Sequence, residues 1–109
     1  MSWLLRDGEV LAAIDGEGRG WPESIHGVLI KAAPVLAHSF NCGSGRELAW
    51  CARATTDSGE PCLRVRRVVV LGGRHIARVS LRGVVVVAER GAFERWNLRV
   101  GDRLEIRDT

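Results

Sequence analysis

His38 and Glu47 are the two side chains in this sequence best suited to acid–base chemistry. An imidazole titrates near neutral pH, and a carboxylate beside it would fix its tautomer and orientation, as a general base or a metal ligand requires. The reading needs two adjacent strands to bring the pair together. Cys42, four residues beyond His38, would join the same candidate pocket. A structural hydrogen bond tying two strands explains His38 and Glu47 as well. Neither a nucleophile nor a third ligand accompanies them, so no catalytic residue is assigned. His38, Cys42, Cys51 and Cys62 have the ligand types of a Cys₃His zinc site. Their spacings of 4, 9 and 11 residues are not those of a zinc knuckle. Small buried thiols acting as hydrophobes account for the cysteines, and no metal or cofactor is expected.

The second constellation is cationic. Arg64, Arg66 and Arg67, followed by Arg74, Arg78 and Arg82, form the candidate anion-binding surface. On a strand Arg64 and Arg66 share one face, and Arg78 and Arg82 share another. Such a face could hold phosphates in a salt-sensitive way. Aromatic residues are not interleaved with these arginines as stacking of single strands requires, and no helix begins with basic residues. The plain alternative is a solvated edge whose charges block edge-to-edge pairing. No phosphate-cradling glycine loop and no serine elbow is present.

The elements that must position these residues are mostly strands. Val10–Ile14, Gly27–Ile30 and Val35–Phe40 read as short strands. Leu48–Ala52 and Leu63–Leu71 read as a hairpin across the loop signal Thr55–Pro61. His75–Val79 predicts another strand. Val84-Val-Val-Val87 is a β-branched run suited to burial on both faces. Gly91–Asn97 is the one helical piece. Phe93 and Trp96 stand at i, i+3 so that both can face the core, and Asn97 is placed for a left-handed C-terminal cap. Gly101-Asp102 predicts a tight turn into a last strand with Leu104 and Ile106 on one face.

Composition bounds the class. The chain has 109 residues, 46% of them hydrophobic and 27% charged, which fits one folded domain and excludes disorder or collagen. Of its 16 basic residues only Lys31 is a lysine. The formal charge of +3 is unevenly distributed. Residues 1–61 hold 5 basic and 8 acidic groups, and residues 62–109 hold 11 and 5, an asymmetry that suggests a charged face. Three cysteines without a C-x-x-C, and a start without a basic and then long apolar segment, predict a cytoplasmic protein with reduced thiols. No apolar stretch is long enough for a membrane span.

The stretch Gly91-Ala-Phe-Glu-Arg-Trp-Asn-Leu-Arg-Val-Gly-Asp-Arg-Leu-Glu-Ile-Arg107 resembles the C-terminal signature of the domain-of-unknown-function family 192. There a short helix is followed by Gly-Asp-Arg-Leu and a last strand. His38-Ser-Phe resembles that family's His-Thr-aromatic segment, and Glu47-Leu-Ala-Trp50 is similar to its Asp followed by an apolar strand. Cys42 stands where the family usually has Met, Glu47 where it has Asp, and Val85-Val86-Val87 where it has Val-Leu-Glu. The resemblance implies an α+β, mostly β fold: a compact single domain over residues 1–109, barrel-like, with one short helix near the C-terminus.

The expected function is that of a small non-enzymatic binding or accessory module acting through contacts with a protein partner. Nucleic-acid or anion binding through the arginine-rich face is the alternative. A hydrolase or metal-dependent enzyme centred on His38 and Glu47 is the third.

Overall fold

The computed structural model describes residues 2–14, 28–32, 35–38, 46–71, 76–80 and 82–108, with side chains for all of these except 35–38, 71 and 76–80. The valine run forms the middle of β8 (Val84–Glu89), and it is buried on both faces as its composition predicts. Val84, Val86 and Ala88 join the main core with Leu4, Val65 and Leu104. Val85 and Val87 point the other way and pack with Leu29 and Leu48. Period-two alternation places these two clusters on opposite sides of one wall. Each fully buried valine contributes on the order of 1.5–3 kcal/mol of transfer free energy.

That wall belongs to a closed barrel of seven strands. Around the barrel run β1 (Ser2–Arg6), β2 (Glu9–Ile14), β3 (Val28–Ala32), β8, β5 (Arg46–Thr55), β6 (Pro61–Leu71) and β9 (Arg103–Asp108). β1 closes the ring by pairing with β9 from Ser2↔Asp108 to Leu5↔Glu105. β4 (Val35–His38) and β7 (Ile76–Ser80) form a separate antiparallel pair. Among the described residues no helix is long and apolar enough to cross a membrane.

The β5–β6 hairpin is the longest ladder, paired from Arg46↔Leu71 to Thr55↔Pro61. The Thr56–Glu60 loop closes it, with the Thr56 N–H donating to the Glu60 carbonyl at 2.8 Å. Trp50 pairs with Arg67 and Cys51 with Val65, leaving Arg66 as the extra residue of a β-bulge. One strand, β1, was not among those expected from the sequence. Its Leu4 and Leu5 are buried, and the Asp7-Gly8 turn into β2, both residues at positive φ, is its hairpin signal.

Helix α1 (Ala92–Trp96) is one turn and a half, as predicted. Asn97 caps it in the left-handed region at φ 53°, and the Leu98 N–H donates to the Phe93 carbonyl at 2.9 Å. Phe93 is buried and its ring lies 5.7 Å from that of Trp96. Arg6 holds the helix end from outside. Its guanidinium donates to the Trp96 carbonyl at 2.6 Å and pairs with Asp102 at 3.2 Å, a multi-pronged contact that suits a guanidinium fork.

Candidate functional site

Glu47 begins the barrel-lining side of β5 and is 6% exposed. Its Oε1 accepts the backbone N–H of Phe93 at 2.9 Å. A helix leaves its first N–H groups without partners inside the helix, and this carboxylate supplies one from a distant strand. His38 lies in β4, which pairs with β7 through His38↔Ile76, whereas Glu47 lies in β5 between β6 and β8. The two are therefore not partners in one ladder. The His38 side chain and all of Cys42 lie outside the described residues.

Cys51 and Cys62 project to opposite faces of the β5–β6 ladder. Cys51 pairs with Val65 and shares its inward face, while Cys62 precedes inward-facing Leu63 and points outward. A shared metal would need them on one side. Burial pushes the Cys51 thiol up to about 12, which is the inert rather than the reactive condition of a cysteine. Among the described residues no three His, Cys, Asp or Glu side chains are grouped to hold a metal ion.

The arginines are arranged differently. Leu63 and Val65 face the core, so Arg64 and Arg66 face outward on β6. The bulge at Arg66 keeps Arg67 outward as well, and all three are exposed. β9 adds a fourth cation that sequence reading did not single out. Arg103 precedes inward-facing Leu104, is exposed, and stands directly across from Arg64. Its position beside Leu104 marks it as outward-facing, but its register with Arg64 depends on barrel closure. Like charges directly opposite each other on a sheet repel. Among the described residues no carboxylate pairs with Arg64, Arg66, Arg67 or Arg103.

Arg78 belongs to β7 in the two-stranded pair, opposite Ala37, and its side chain lies outside the described residues, as does all of Arg74. Arg82 is exposed just before β8 and outside β7.

One residue pair beyond Arg64 and Arg103, past Leu63 and Leu104, the wall splits. β6 and β9 pair at Leu63↔Leu104 and Arg64↔Arg103 and then part. The split forms a groove of about 370 Å³ with apolar lining from Ala54, Pro61, Cys62, Leu63, Leu104 and Ile106. Ile106 shares Leu104's face as predicted, yet it remains 47% exposed because β6 no longer covers it. Arg53, Glu60, Glu105 and Arg107 complete the rim, and Arg107 lies 3.5 Å from Glu105.

Comparison with known proteins gives no match to a family model, a curated protein or a solved structure.

Proposed function

We propose that this protein is a binding module whose partner is anionic and docks on the outer face of β6 and β9. The observation that carries this reading is the direct opposition of Arg64 and Arg103, with Arg66 and Arg67 beside them and no carboxylate partner among the described residues. Four exposed arginines on neighbouring strand positions repel one another until an anion lies between them. Arginine suits the role, because its planar fork binds carboxylate and phosphate oxygens in pairs. A cytoplasmic setting and kinship with the domain-of-unknown-function family 192 accompany this reading as proposals, the second supported by the His38-Ser-Phe and Gly101-Asp-Arg-Leu104 segments.

The test is fluorescence anisotropy with a labelled polyglutamate and a labelled DNA duplex. At about 50 mM salt at least one is expected to bind, and raising salt to about 200 mM weakens binding by about a hundredfold if four cations each release a counterion. Arg64→Ala with Arg103→Ala is expected to halve the dependence of log affinity on log salt. Absence of binding to both probes at the lower salt overturns the proposal.

A further inference from the structure

We infer that the partner on this face is an acidic protein segment that inserts one large apolar side chain into the groove between β6 and β9. The inference rests on the anion-binding reading and adds the class of partner. The groove opens past Leu63↔Leu104, one residue pair beyond Arg64↔Arg103, so the cationic pair borders the apolar surface. Cys62 lies two residues from Arg64 on the same outer face and lines the groove, and Glu105 stands in the same relation to Arg103. At about 370 Å³ the groove falls at the lower end of ligand pockets, which span about 300–1,000 Å³. It is therefore a seat for one side chain rather than for a whole helix. Half-exposed Ile106 is the apolar surface such a side chain would cover.

A nucleic-acid backbone would satisfy the arginines and leave this apolar seat unfilled. An acidic peptide with an apolar anchor satisfies both, and buried anchors carry most of the affinity of protein interfaces. The rim sets the direction of charge. Arg107 already engages Glu105, and Arg53 has no ion-pair partner among the described residues. Glu60, on the hairpin loop, is the rim carboxylate without a cation among the described residues. The acidic residues of the partner therefore belong over Arg64 and Arg103, and its residue near Glu60 is uncharged or basic.

The experiment compares three labelled probes: an Asp/Glu-rich peptide with a central Phe, the same peptide with Ala in place of Phe, and a DNA duplex. The Phe peptide is expected to bind at least about tenfold tighter than the Ala peptide. Ala54→Trp, which fills the groove, should remove that difference. The Phe peptide should also slow hydrogen exchange of the Cys62 and Ile106 amides in the unaltered protein, a readout that stands even if Ala54→Trp does not fold. Equal affinity of the two peptides, tighter binding of the duplex, or Phe-peptide binding without that protection overturns the inference. Failure of all three probes to bind at low salt overturns the anion-binding reading instead.

Discussion

The Glu47 carboxylate accepts the Phe93 amide at 2.9 Å, so the start of β5 caps a helix 46 residues further along the chain. One buried acceptor thus joins the central wall of the barrel to the only helix among the described residues. Removing it leaves a buried N–H without a partner, the expensive kind of loss. Glu47→Ala is expected to lower stability by about 1–3 kcal/mol in urea titration, while Glu47→Gln, which keeps a carbonyl acceptor, recovers more than half of that. Equal losses in the two variants would show that the bond contributes nothing.

Gly83 is the glycine that admits no side chain. It has φ 78°, and a Cβ there would stand 2.2 Å from the carbonyl oxygen of Cys51. The contact is with strand backbone in the middle of the barrel, which cannot move aside cheaply. Gly83→Ala should cost at least about 3 kcal/mol, whereas Gly59→Ala, with the same sign of φ but open space around it, should cost only about 1 kcal/mol. Thermal melting of the two variants separates conformational strain from collision.

Cys51 gives the protein a sensitivity to alkali. Burial raises its thiol pKa from 9.0 to about 12. A raised folded-state value means that the contribution is fully present below the unfolded value and is lost as pH climbs from about 9 toward about 12. Cys51→Val should flatten the fall in stability across that window. In the folded protein near pH 8, Cys51 should resist alkylation until the barrel unfolds, as peptide mapping by mass spectrometry can show.

The Arg64–Arg103 opposition predicts a conflict between stability and binding. Arg64→Glu turns a repulsive cross-strand pair into an attractive one. At low salt it should raise stability by about 0.5 kcal/mol, a gain that fades as salt screens it. The same variant should bind acidic probes far more weakly. A loss of stability in Arg64→Glu would mean that the two guanidiniums do not repel as their register implies.

Local chemistry made much of this architecture legible in the chain. The β-branched run Val84–Val87 announced a strand buried on both sides, and Phe93, Trp96 and Asn97 announced a short capped helix. The loop signal around Gly59 and Pro61 located the tip of the long hairpin. Ser2–Arg6 was not read, because a five-residue strand at the start has few positions to display alternation. The roles of Glu47 and Gly83 depend on which distant backbone comes to lie against them, and no spacing encodes that. The arginine face was half legible for the same reason. Alternation along β6 gives Arg64 and Arg66, but the bulge that keeps Arg67 on their side and the register that adds Arg103 arise only when the barrel closes.

The double-sided burial of β8 has a consequence for how the molecule comes apart. A strand with one dry face can peel away by wetting that face alone. Val84–Val87 can leave only if the clusters on both sides are breached together, because consecutive residues are anchored in different ones. That couples the inside of the barrel to its outer layer. The amides of this strand then become the slowest clock in the protein, exchanging with solvent only on the excursions in which the whole domain opens.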